Sequence, residues 1–418
     1  MDGASASEES SLHGLSQTSA QADIDGPYAW VRLLVSMVFA TVAGVGMWSV
    51  IVVLPAIEAD FGISRAEATL PYTTTMLGFA FGNAVVGRAV DRWSYWIAAL
   101  VSAIVLSSGF AIASLTTSVF QFALVQGVMI GAGSAAGFGP LIADISHWFE
   151  KRRGIAVAIA ASGNYLAGAI WPLIIPYFMD ATDWRGTYRT IAVVSIVLMI
   201  PLVLLLRRGS KARVEGQASQ PTQSSVFSPG AIQVMLIVAG LGCCVAMSMP
   251  QVHIVAYCMD LGYGVARGAE MLSLMLAGGV VSRLVSGLLA DRIGGVRTLL
   301  LGSVLQMLSL LLYIPFDGLA SLYIVSLVFG LSQGGIVPAY AVVIREYMPA
   351  HEAGARVGLV MMATVFGMAL GGWISGWIYE LTGSYTAAFV NGIAWNVLNA
   401  LVILMLLLKS NRLAPARA

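Results

Sequence analysis

Along this chain, long apolar runs alternate with short polar connections. A helix needs about 20 apolar residues to cross a bilayer. Twelve runs meet that length, at about 28–55, 69–90, 94–114, 118–142, 153–179, 188–206, 230–258, 269–290, 296–316, 319–344, 354–380 and 385–408. Several exceed 25 residues, which predicts tilt or a water-lined end. One connection stands out. Residues 207–229 are polar, hold Gly, Ser, Pro and four basic side chains, and divide six spans from six. The predicted architecture is an all-α membrane protein. It has a disordered cytoplasmic tail (1–27), an N-terminal six-helix bundle (28–206), a cytoplasmic linker (207–229), a C-terminal six-helix bundle (230–408) and a short cytoplasmic tail (409–418).

Composition agrees. Hydrophobic residues make up 58% of the chain and charged residues only 10%, against about 25% charged in a soluble domain. A net charge of +1 gives no argument for a nucleic-acid partner. The first 26 residues are polar and acidic and lack the basic start of a cleavable signal. They read as a disordered tail, and the 28–55 run reads as a retained span. Cys243, Cys244 and Cys258 share one apolar span, fit neither a zinc site nor a disulfide framework, and read as buried small residues. With the N-terminus inside, sixteen of the 22 Lys and Arg fall in inside segments, four fall outside and two lie within spans. That asymmetry puts both termini in the cytoplasm.

The two halves repeat a turn. Gly87-Arg-Ala-Val-Asp91-Arg92 follows the second span, and Gly287-Leu-Leu-Ala-Asp291-Arg292-Ile-Gly-Gly-Val-Arg297 follows the eighth. A repeat at matching places in two six-span halves is the sign of a two-half transporter with a central site. Gly287 would let two helices approach closely. Asp291 would sit at a neighbouring helix N-terminus, where negative charge is favoured. With this turn the chain resembles the major facilitator superfamily, and the resemblance implies that fold, a conformational latch at these residues and rocking of the halves. Trp93-Ser94-Tyr95 departs from the pattern in the first copy. Asp25-Gly-Pro-Tyr28-Ala-Trp30 and His147-Trp148-Phe149-Glu-Lys-Arg-Arg-Gly-Ile-Ala156 resemble motifs of the monocarboxylate porters, a group whose bacterial relatives carry varied organic anions. The resemblance implies a multi-pass protein of the bacterial cytoplasmic (inner) membrane, working as a monomer among lipids.

Arg283 is the candidate centre. It lies deep in the eighth span, where an Arg costs roughly 2.5–3.5 kcal/mol on insertion scales, and no Asp or Glu occupies the middle of any span. Gly279, Ser282, Ser286 and Gly287 surround it with small and polar groups. A planar guanidinium matches a carboxylate bidentately, so the expected partner is the substrate's carboxylate. The alternative is that Arg283 bonds backbone carbonyls of a broken helix. Monocarboxylate porters use an Arg of the eighth span for substrate, and their animal members place an Asp one turn earlier for proton coupling. Here that position is Gly279, so a proton carried elsewhere or an exchange of anions remains open. His253 is the proton-coupling candidate. It follows Pro250, where the sequence predicts a broken seventh span.

Spans one, four, seven and ten line the cavity in such folds. Polar or aromatic groups there are Trp48, Gln126, Gln251, Tyr257, Gln333 and Tyr340, with Gln333 and Tyr340 ranking first after Arg283. Gly334-Gly335 should make the tenth span bend. Gly127, Gly131 and Gly133 on span four, and Gly367, Gly371, Gly372 and Gly376 on span eleven, should allow close helix contact. Asn164, Asn391, Asn396 and Asn399 should bond between helices. The chain carries no phosphate loop, no metal-binding helix motif and no catalytic pair of carboxylates. No enzyme activity, cofactor or metal is expected. The expected function is secondary transport of a mono- or dicarboxylate, by proton symport or anion exchange. Efflux of a larger amphiphilic acid is the alternative within transport. A non-transporting membrane sensor is the alternative outside it, disfavoured by the short tail and linker.

Overall fold

The computed structural model describes residues 24–149, 152–207, 227–348 and 350–410, without the side chains of Asp91, Arg153, Asp291, Ser410 and residues 350–355. Most of the expected tails and linker, at 1–23, 208–226 and 411–418, lie outside the described residues. Among the described residues there is no strand. Backbone polar groups in lipid must find partners within their own segment, which long helices provide. Among the described residues twelve such helices form: α1 (Pro27–Phe61), α2 (Leu70–Arg92), α3 (Tyr95–Ala113), α4 (Val119–Ser146), α5 (Arg153–Ala181), α6 (Trp184–Leu205), α7 (Pro229–Asp260), α8 (Val265–Ile293), α9 (Gly295–Leu312), α10 (Leu319–Tyr347), α11 (Ala350–Thr382) and α12 (Tyr385–Ser410).

Eleven of them are long and apolar enough to cross a membrane, and α2 is the exception. Its polarity is used by its neighbours. Thr74 donates to the Ala123 carbonyl (2.6 Å), Thr75 to Gln126 (3.2 Å) and Thr73 to the Ala369 carbonyl (3.3 Å). α2 is therefore packed between α4 and α11 and needs fewer apolar side chains.

α1–α6 and α7–α12 form two six-helix bundles, which meet along α5–α8, α2–α11 and α1–α7. Three of the helices are interrupted. α1 breaks at Gly44, α4 passes through a π-helical turn over Gln126–Gly131 and a short 3-10 turn, and α10 breaks at Gly334-Gly335. α7 does not follow the expectation. It runs unbroken through Pro250. A proline removes one backbone bond, and a helix packed on all sides tolerates that loss.

At the Arg65 end the bundles are clamped. Arg65, in the one-turn helix between α1 and α2, grips both carboxylate oxygens of Asp260 on α7 (3.2 and 3.3 Å) and donates to the Tyr385 hydroxyl on α12 (2.5 Å). It also pairs with Glu58 (2.7 Å) and lies 4.9 Å from the Tyr379 ring. Burial pulls its pKa down, but Tyr385, Asp260 and Glu58 together hold it above the ordinary arginine value. A cavity of about 370 Å³, lined in part by Pro55, Glu58, Arg65 and Asp260, sits beside this clamp.

The linker end is different. A Cβ on Gly87 or Gly287 would meet nothing within 4 Å among the described residues. The close helix approach expected at Gly287 is not made among the described residues, and Gly287 faces open space. Arg92, Arg292 and Arg297 end or follow α2 and α8 here. The side chains of Asp91 and Asp291 lie outside the described set. The carboxylate that meets a helix N-terminus at the second turn is Glu346, which accepts from Gly295 N (2.8 Å). Gly294 there has φ 86°, a left-handed value that glycine adopts without strain.

The two separated aromatic motifs come together at this end. Tyr28 packs on Trp148 (5.3 Å between rings) and Trp30 on Phe149 (5.1 Å). Arg32 lies beneath them. It pairs with Asp144 (2.8 Å) and lies 4.7 Å from the Trp148 ring.

Candidate functional site

The site is built on the seam where α5 meets α8. Leu276 lies against Gly168, Gly279 against Tyr165, and Arg283 against Ala161. Steps of three and four residues keep one face of each helix on the other. A Cβ on Gly279 would fall 2.5 Å from the Tyr165 ring, so only glycine lets that ring in. One turn beyond Arg283, Gly287 faces open space. Arg283 therefore lies between the packed part of the seam, at Gly279, and the open space at Gly287.

Arg283 is 6% exposed. Its Nη1 donates to the Ala161 carbonyl (2.7 Å) on α5, and its Nε to the Gly334 carbonyl (3.4 Å) at the break in α10. Its guanidinium carbon lies 4.1 Å from the Tyr165 ring centroid, within cation–π range. No ion pair joins it to a carboxylate among the described residues. A carbonyl of the continuous helix α5, a carbonyl at the break in α10 and a ring are its partners among the described residues.

Gln333 completes the group. Its Oε1 accepts from the Tyr165 hydroxyl (3.2 Å), while its Nε2 is buried, has no partner among the described residues and stands 3.4 Å from the Cβ position of Gly279. Arg283, Gln333 and Tyr165 thus converge from both bundles and present donors without a negative charge. The buried hydroxyl of Tyr72 has no partner among the described residues.

The other expected site residues are placed as follows. Tyr340 is fully buried in the C-terminal bundle and donates to Asn399 (3.2 Å), which with Asn396 bonds Ser303 on α9. Gln126 is held by Tyr188 (2.6 Å) and Thr75 within the N-terminal bundle. Trp48 donates to the Asn164 carbonyl (3.0 Å), so it shapes the wall beside Gly168 and offers no free donor. Gln251 is 1% exposed and neither end of its amide has a partner among the described residues. Tyr257 packs on Tyr385 and Phe389 of α12, away from Arg283. His253 donates through Nε2 to the Gly372 carbonyl (2.9 Å) and packs against Tyr385, nearer the Arg65 clamp than the α5–α8 seam.

Sequence reasoning missed Tyr165 and Arg65. Tyr165 follows Gly163-Asn164, a polar interruption of an apolar run, and an aromatic in a span otherwise reads as packing. Arg65 sits in a short connection, where a charge reads as solvated.

The family model of the Major Facilitator Superfamily matches residues 36–355 and again 270–417. Over 379 residues the chain is 27% identical to monocarboxylate transporter 13 of Bos taurus, covering 88% of this chain and 86% of that one. It is 25% identical over 336 residues to the agnestins efflux protein AgnL12 of Paecilomyces divaricatus, covering 80% and 76%. The fold resembles the crystal structure of a bacterial homologue of the human lysosomal transporter Spinster in its inward-facing, occupied conformation. The TM-score is 0.71 at 14% identity, over 94% of this chain and 99% of that one. Twelve helices in two bundles and these similarities agree: the chain belongs to the major facilitator superfamily and, within it, resembles the monocarboxylate porters.

Proposed function

We propose that this protein is a secondary transporter that carries a small carboxylate-bearing anion across its membrane by alternating access. One observation carries the reading. A buried guanidinium lies between the bundles with no carboxylate partner among the described residues, next to an unpartnered amide donor, Gln333 Nε2. Breaking a buried pair so that one charge stands alone costs about 3–5 kcal/mol. A substrate carboxylate on Arg283 supplies the negative charge the protein withholds. The fork binds it bidentately, and Gln333 Nε2 is placed to donate to it or to a neighbouring oxygen. Positive charge concentrated at the linker end makes that end cytoplasmic. The conformation is then open inward and closed at Arg65. The working unit is a monomer in a bacterial cytoplasmic membrane, and the driving force is a proton or a counter-anion gradient.

A melting-point panel on purified protein in detergent tests this. Pyruvate, oxalate, succinate and an aromatic acid are compared with their amides on wild type and Arg283→Ala. A ligand that binds only the folded state raises the melting temperature. The expected shift is about 2–5 °C for one carboxylate class near 100 Kd, absent for its amide and lost in Arg283→Ala. Shifts that survive in the variant and follow size instead of charge support the second reading, efflux of a larger amphiphile, which the similarity to AgnL12 favours.

A further inference from the structure

We infer that the carrier is an obligatory anion exchanger, an inference that rests on the anion-carrier reading above. Three observations carry it. The first is the cross-bundle bond. Arg283 belongs to the C-terminal bundle, yet its shortest hydrogen bond is to Ala161 of the N-terminal bundle, and Tyr165 of that bundle covers its guanidinium. The second is the absence of a compensating acid. No carboxylate among the described residues pairs with Arg283, and the groups that face it from α5 and α10 are carbonyls, a phenol and an amide. The third is Gly279. One turn before Arg283, where a carboxylate would pair with it along the helix, the Tyr165 ring fills the space.

Rocking the bundles moves Ala161 and Tyr165 relative to Arg283. A carrier with nothing on Arg283 must then drag a guanidinium stripped of its N-terminal-bundle partners through a low-dielectric seam, with no protein carboxylate to take their place. A carrier loaded with a carboxylate carries a neutral ion pair and keeps its hydrogen bonds. The loaded form crosses and the unloaded form stays. Net flux requires the unloaded form to return, so each anion leaving must be replaced by one entering. No protonatable acid among the described residues stands beside Arg283 to cancel its charge instead.

The test is tracer efflux from proteoliposomes of the full chain. Vesicles are loaded with radiolabelled pyruvate, or with radiolabelled succinate if the melting panel selects a dicarboxylate, and carry a lumenal pH dye. Efflux into medium containing the same unlabelled anion should exceed efflux into anion-free medium at least tenfold, with no change in lumenal pH. Equal rates in both media, or efflux that carries protons out, would overturn exchange while leaving the anion carrier standing. No carboxylate movement in either medium would overturn both. A second arm assigns the lock to charge. In a Tyr165→Ala background, which makes room, Gly279→Asp supplies the missing acid. Anion-free efflux should rise toward the exchange rate. An unchanged ratio in a variant that still exchanges would overturn the role given to Arg283.

Discussion

A guanidinium bonded to two carbonyls and a ring, with no acid among the described residues, is an unusual thing to bury in a membrane protein, and the shape of the fork matters there. Arg283→Lys keeps the charge but loses the planar pair of donors. It should weaken carboxylate binding more than tenfold, measured by tracer displacement, while the protein inserts normally; binding within twofold of wild type would mean that charge alone suffices. Arg283 was legible in the sequence because a lone charge in an apolar run has a cost that demands a partner. Gln333 stood out in the sequence as a polar group on the tenth span. That Trp48 and Gln126 are bonded within their own bundle, by Asn164, Tyr188 and Thr75, was not legible, since such pairings depend on tertiary placement. Tyr165 was hidden because a phenol costs little to bury, so its presence in a span signals nothing until the ring is seen over Arg283.

Among elements, α11 does two jobs with its glycines. Gly367 and Gly371 pack on α7, whereas Gly372 and Gly376 face Tyr72 and the Arg65 turn of the other bundle. A Cβ at Gly372 would already stand 3.0 Å from the Tyr72 ring. Gly372→Leu should therefore oppose closure at the Arg65 end by about 1–3 kcal/mol, the usual range for overpacking. It should raise labelling, from that side, of a cysteine placed at Thr73. Labelling equal to that of the parent would show that α2 and α11 yield without cost. The sequence pattern told that these glycines pack; which bundle each one faces depends on tertiary placement that spacing cannot carry. A contrast comes from Arg32, which is 2% exposed and pairs with Asp144 inside one bundle. Arg32→Ala should lower stability by about 3–5 kcal/mol, read as an earlier thermal transition, without changing which end is open.

For the molecule as a whole, the two ends differ. Arg65 ties the short α1–α2 connection to α7 and α12, while Gly87 and Gly287 at the linker end face open space among the described residues. Eleven apolar spans and a two-half repeat were legible because hydropathy and the duplicated turn are local, while α2 is too polar to be told by hydropathy alone. The conformation was not, because it depends on long-range pairs such as Arg65 with Asp260, 195 residues apart in the chain. Arg65→Ala should shift the population toward opening at that end by on the order of tenfold, about 1.4 kcal/mol, seen as faster labelling at Thr73. An unchanged rate would place the closure elsewhere, in the Tyr72–Gly372 contact. The most direct test of the whole account is counterflow in proteoliposomes: uptake of radiolabelled carboxylate against an internal store of the same anion, in wild type and Arg283→Ala. Transient accumulation above equilibrium in wild type, abolished in the variant, is the predicted result. Accumulation that persists in Arg283→Ala would contradict the claim that this arginine binds the cargo.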